Sequence, residues 1–311
     1  MTAASPEKPT SVAAILYIFA AGLLFSFLDA SAKYLVLSGL DAAFVSWCRF
    51  AGHAMLVFVM FRGWSNAAIY RTGSIPAQLL RAVFLFGSTI FNFLALRHLQ
   101  LAETMSIAFF APMMITALAG PLLGEWAGWR RWMAVLVGLV GVLVITRPGF
   151  GSFSLGHLFA LCGTTSYCIY VLMTRKMSAH ESPESLIFYS AVAPMLLMAP
   201  SVPYTFSWPP QMWEWLLLAL LGLFGGLGHY CIILAYRRAT VTSLAPYPYL
   251  QMVWMILLGW LIFHQFPDIW TLVGAGIIVA SGLYIVHREH ALRVQNRAVM
   301  LAEAEAMAKK R

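Results

Sequence analysis

Two bases and an acid sit in apolar surroundings near the start of this chain. Asp29 and Lys33 stand four apart within "FSFLDASAKYLVL" (25–37), which puts them on one face of a helix. Arg49 and His53 repeat that spacing in the next apolar stretch. Charges in such a setting pair with one another or grip a polar ligand. Arg49 and Lys33 suit a carboxylate or phosphate; Asp29 suits an amine or carries a proton. Asn92, Tyr167, Tyr170, His229, Tyr247, Tyr249 and Gln251 are further polar groups in apolar segments. Pro246 and Pro248 interrupt the last of these, and a broken helix exposes backbone carbonyls to a ligand. The aromatics suit a flat ring or a cation. A structural explanation stands beside each: an Asp29–Arg49 clamp, His53 and Asn92 as hydrogen-bonding groups between helices, tyrosines as packing. Both explanations remain open at the level of sequence.

The elements holding these residues are membrane helices by composition. The 311 residues are 61% hydrophobic and only 10% charged, where a soluble domain carries about 25% charge. Pro, Gly and charge clusters divide the chain into ten apolar segments: 12–37, 41–62, 77–97, 102–122, 128–147, 154–175, 183–201, 212–236, 242–263 and 267–287. Each approaches the roughly 20 residues that cross a bilayer. The fold expected is therefore all-α, with ten transmembrane helices. Residues 1–32 read as a retained first helix, because the apolar run from Val12 to Leu28 is long for a signal peptide.

Charge sets the orientation. Lys33, Arg97 and Arg147 fall on one side and Arg49 within a span; the remaining sixteen of the 20 Lys and Arg, Arg81 among them, fall on the side of the N-terminus. By the positive-inside rule both termini are cytoplasmic, at the inner or plasma membrane. The net charge of +8 is absorbed by topology, so nucleic acid is not an expected partner. Cys48, Cys162, Cys168 and Cys231 lie in apolar segments without metal spacing and read as small buried hydrophobes. Trp126, Trp129, Trp132, Trp208, Trp213 and Trp215 sit near span ends as interfacial anchors.

The chain matches itself at an offset near 140. "ALRH" (95–98) aligns with "AYRR" (235–238), and "LLGEW" (122–126) with "LIFHQF" (261–266), which sets Glu125 opposite Gln265. "GVLVITR" (141–147) aligns with "SGLYIVHR" (281–288). Five spans followed by five more must enter the membrane from opposite sides, an inverted repeat suited to alternating access. The units are an N-terminal tail (1–11), a first repeat (12–149), a second repeat (150–287) and a polar C-terminal tail (288–311).

"DASAK" (29–33), "RF" (49–50), "ALRHLQLAETMSIAFFAP" (95–112) and "LLGEWAGWRRWMAVLVGLVGVLVITRPG" (122–149), with the looser copy at 235–288, resemble the EamA-type transporters of the drug/metabolite transporter superfamily. That resemblance implies ten helices in two inverted repeats, a central cavity and no cofactor. Its relatives move amino acids, nucleotide-like cofactors, riboflavin and S-adenosylmethionine. The second copy departs from the pattern, with Gln265 in place of the acid and an aromatic "APYPYLQ" (245–251).

The function expected is secondary transport of a small polar metabolite. The alternatives are an intramembrane lipid-modifying enzyme or a channel. No Walker A loop, His-Glu-x-x-His, Gly-x-Ser-x-Gly or paired acids occur, so neither an enzyme nor a metal site is expected. The expected partners are a small-molecule substrate and the lipid bilayer, with proton coupling through Asp29 and a homodimer as options.

The hairpin of the first two helices makes a geometric prediction. Its turn centres near Gly39, with Asp29 ten residues before and Arg49 ten after. The two should sit at similar depth, roughly 10–15 Å from the turn, as an ion pair. Lys33, nearer the surface, should snorkel. Glu103 should cap the fourth helix at the outer interface.

Overall fold

The computed structural model describes residues 12–111, 113–115, 117–118, 129–147, 153–177, 180–236, 251–284, 287 and 291. These residues form helices and short connections: α1 (Val12–Leu37), α2 (Ala42–Met60), α3 (Ile75–His98), α4 (Leu101–Ala108), α5 (Trp129–Thr146), α6 (Leu155–Met177), α7 (Pro183–Met198), α8 (Met212–Tyr236), α9 (Gln251–Phe263) and α10 (Ile269–Tyr284). Among the described residues six stretches are long and apolar enough to cross a membrane: α1, α2, α3, Leu155–Thr174, Pro183–Thr205 and Met212–Ile232. Leu101–Ile115, Trp132–Thr146, α9 and α10 are shorter apolar helices.

Short polar residues set the helix starts. Asp41 Oδ1 accepts the Ala43 N–H at 2.7 Å, Ser182 Oγ accepts that of Ser185 at 3.1 Å, and Asp268 Oδ1 accepts that of Thr271 at 2.7 Å. Each satisfies a donor that the first helical turn leaves orphaned. The α1–α2 turn is made at Gly39, whose φ of +102° a side chain would resist.

Helix pairing has an internal symmetry. α1 packs on α8, and α6 packs correspondingly on α3; α2–α8 is matched by α7–α3, and α1–α9 by α6–α4. The α2–α7 and α4–α9 contacts map onto themselves under the same exchange. Glycines allow the nearest approaches. Gly52 faces Gly222 across α2–α8, and Gly163 packs against the Ser88–Asn92 turn of α3. One core joins Leu28, Leu35, Phe44, Phe93, Leu96, Leu218 and Leu221 from α1, α2, α3 and α8. Leu16, Val59, Leu80, Leu136, Leu216 and Trp260 stay exposed, as suits surfaces that meet lipid.

Candidate functional site

Helix α3 inserts between the acid of α1 and the base of α2. Its face at Thr89 and Asn92 serves both. Asp29 Oδ1 accepts from Asn92 Nδ2 at 2.9 Å. Arg49 Nη1 donates to Thr89 Oγ1 at 2.6 Å, and Thr89 passes its own hydrogen to the Leu85 carbonyl at 3.1 Å. The expected depth match therefore holds, since both partners lie within one turn of α3. The expected direct ion pair does not form. Asp29 and Arg49 feel each other's charge without touching. The reason is packing: α1 and α2 lie chiefly against α8, with α3 reaching both, rather than against each other.

From the second half, α8 supplies His229. Arg49 Nη2 lies 3.4 Å from His229 Nε2. A guanidinium only donates, so Nε2 accepts and the ring hydrogen sits on Nδ1. The His53 ring is parallel to that of His229, 5.8 Å away. It is 1% exposed, and among the described residues neither of its nitrogens has a hydrogen-bond partner. The interhelical bond that the structural explanation of His53 requires is not made among the described residues. Among the described residues Arg49 Nε, a buried donor, has no partner either. Unmet buried groups of this kind cost about 1–3 kcal/mol each, and a polar ligand would satisfy them. Asp29, Asn92 and His229 are only partly buried, which leaves the cluster approachable.

Lys33 does not snorkel. It is 2% exposed and donates to the Leu99 carbonyl at 2.6 Å and to Gln265 Oε1 at 2.9 Å. Leu99 caps the end of α3, where helical carbonyls lack partners, so a nearby cation is drawn inward rather than to the surface. Glu103 accepts the Gln100 N–H, as a cap should, and also meets His157 Nε2 at 2.8 Å. The Ser154 N–H donates to His157 Nδ1, so Nε2 carries the hydrogen given to Glu103. Arg147 pairs with Asp268 at 2.7 Å. Three polar links thus tie residues of the first half to residues of the second at this end of the bundle.

The other candidates spread out. Tyr170 is buried beneath the Arg81 guanidinium, while Tyr167 is 38% exposed. Gln251 packs over Gly22 at the α1–α9 contact. Tyr247, Tyr249 and the Pro246–Pro248 break lie outside the described residues, as does Glu125. Sequence reasoning passed over Thr89, His157 and Arg81. Arg81, counted above with the basic residues of the N-terminal side, is 1% exposed within α3. A signal existed for it: Gln78, Arg81, Leu85, Thr89, Asn92 and Leu96 follow one helical stripe. Among the described residues no cluster of three His, Cys, Asp or Glu could hold a metal ion.

Residues 12–147 and 154–287 each match the EamA-like transporter family. The chain is 29% identical over 264 residues to an S-adenosylmethionine uptake transporter of Rickettsia bellii, covering 84% of this chain and 89% of that one. It is 27% identical over 282 residues to a riboflavin transporter of Vibrio cholerae, covering 88% and 93%. It is 26% identical over 268 residues to a pseudopaline exporter of Pseudomonas aeruginosa, covering 86% and 93%. A solved crystal structure shares the fold, with a TM-score of 0.63 at 21% identity over 86% of this chain and 95% of that one.

Proposed function

Since the chain belongs to the EamA-like transporter family, we propose that it is a secondary transporter of a small polar metabolite. It works by alternating access, with ten spans as two inverted five-helix repeats, 12–149 and 150–287. Both termini face the cytoplasm across the inner or plasma membrane. Two observations support the inverted arrangement: the family match falls twice along the chain, and helix contacts pair off under exchange of α1–α5 with α6–α10.

The observation that carries the reading is the cluster of Asp29, Arg49, His53, Thr89, Asn92 and His229, drawn from both halves and buried among apolar helices. Arg49 and Lys33 were the sequence's candidates for an anionic group. The contacts favour Arg49, because Lys33 directs two of its three donors to Leu99 and Gln265. Arg49 Nε and the one N–H of a neutral His53 offer donors to a carboxylate, and the other His53 nitrogen accepts from the ligand body. Asp29 takes an amine, or holds a proton released as the site reopens. Because the site joins the two halves, rocking them changes which side it faces. The relatives named for S-adenosylmethionine, riboflavin and pseudopaline define the compound classes to try first.

Solute counterflow in proteoliposomes tests this. Vesicles are preloaded with S-adenosylmethionine, riboflavin, amino acids or opine-type carboxylates, with and without a pH gradient. Counterflow with one class establishes a carrier. Flux that neither saturates nor shows counterflow identifies a channel, and absence of any flux across the panel removes support for these substrate classes. Asp29→Asn should abolish the pH-driven component alone; retention of that component in the variant excludes Asp29 as the proton site.

A further inference from the structure

Arg81 is a buried cation that the site above does not use. Its fork is filled by neutral groups. Nη1 donates to Ser190 Oγ at 2.9 Å and Thr174 Oγ1 at 3.3 Å; Nη2 donates to Gln78 Oε1 and the Leu186 carbonyl, both at 2.7 Å. The guanidinium lies over the Tyr170 ring, 5.4 Å from its centroid. Among the described residues Nε has no partner, and Arg81 is 1% exposed. Among the described residues no carboxylate lies within ion-pair distance of it. Glu181, the acid that reaches it electrostatically, is tied to Thr72 Oγ1 and the Gly73 N–H at 2.8 Å each. A guanidinium inside a membrane protein ordinarily finds an anion. This one holds its place with hydroxyls, an amide and a carbonyl.

Its position gives the missing anion a source. Arg81 precedes Thr89 by eight residues on the buried stripe of α3, about 12 Å along the axis, on the side away from Lys33. On that buried stripe Ala82 and Leu85 separate Arg81 and Gln78 from Thr89. Arg81 and Gln78 belong to the first half, whereas Thr174, Ser190 and Leu186 belong to the second. Parting α3 from α6 and α7 therefore strips three acceptors from the fork and leaves it open to an oxyanion.

We propose that Arg81 is a second oxyanion-binding station, two helical turns from Arg49, which receives the carboxylate or phosphate of the substrate when the halves part at that end. The proposal rests on the transport reading above and adds a charge requirement to it: the substrate carries an anionic group.

The test needs no knowledge of the substrate. Thermal unfolding of the purified full-length protein is followed by tryptophan fluorescence during titration with sodium acetate or inorganic phosphate, replacing chloride at constant ionic strength. A saturable upward shift is expected; acetate alone marks a carboxylate station, and phosphate alone a phosphate one. In Arg49→Gln, which removes the anion contact of the central cluster, a saturable shift should remain; adding Arg81→Gln to that variant should abolish it, and adding Arg81→Lys should retain it at a weaker half-saturation. Ser190→Ala removes a competing acceptor and should lower the half-saturating concentration roughly three- to tenfold. Loss of the shift in Arg49→Gln assigns the anion to the central site and overturns the proposal while leaving the transport reading intact. A shift that persists in the Arg49→Gln/Arg81→Gln double variant, or no shift with either anion, also overturns it. Should Arg81→Gln fail to fold, an unchanged or weaker half-saturation in Ser190→Ala is decisive against it.

Discussion

Replacing Gly222 by Ala perturbs the packing on which the candidate site depends. A Cβ at Gly222 would lie against the Cα and carbonyl carbon of Gly52 and 2.7 Å from the His53 nitrogen. All three are backbone atoms, so no side chain can swing aside. Ordinary contact begins near 3.4 Å, and α2 and α8 must therefore separate by at least ~0.7 Å. Overpacking of this kind costs about 1–3 kcal/mol. The same displacement carries the Arg49–His229 contact from 3.4 Å to beyond hydrogen-bonding range. Stability should fall by that amount in denaturant titrations of detergent-solubilised protein, and counterflow should weaken in parallel. Gly276→Ala is the control of opposite sign. Nothing lies within 4 Å of a Cβ there, so the gain in helix propensity should stabilise by about 0.5–1 kcal/mol. If Gly222→Ala proved as stable as Gly276→Ala, the close α2–α8 approach, and the account of how His229 meets Arg49, would be refuted.

Two further predictions concern the polar links at the Lys33 end. Lys33→Met removes two hydrogen bonds from a charged donor, about 1.5–3 kcal/mol each, but relieves about 2.5–3.5 kcal/mol of charge burial. Its net cost should not exceed about 3.5 kcal/mol in chemical denaturation, and a larger loss would mean that Lys33 supports more than Leu99 and Gln265. At Asp268, partial burial raises the carboxyl, but hydrogen bonds from Thr271 and the Arg147 charge outweigh it and hold the group below its ordinary 3.8. The folded carboxyl titrates lower than the unfolded one, so its stabilisation is present above pH 3.8 and is lost as pH falls through the lower folded value. With side chains 32% and 44% exposed, the effect should stay below about 1 kcal/mol and fade in high salt. Asp268→Ala should flatten the acid limb of a stability–pH curve measured at low salt; an unaltered limb would remove the Arg147 link from the account.

Much of this protein was legible before any coordinates. Composition and apolar run length determine the membrane class, because burial in lipid needs no partner to be recognised. The segment bound set at Pro183 coincides with the start of α7, because proline's fixed φ suits a first helical position. Counting from Gly39 set Asp29 and Arg49 at one depth, since rise per residue is fixed. What the sequence could not supply was lateral: which helix lies beside which. Only the tertiary structure interposes Thr89 and Asn92 between acid and base, turns Lys33 inward to the Leu99 carbonyl, and brings His157 to Glu103 from 54 residues away. Arg81 is the sharpest case. A basic residue near a span end reads as topology, and only the convergence of α6 and α7 on α3 encloses it. Depth follows from counting along one helix, whereas partnership depends on contacts between helices distant in sequence.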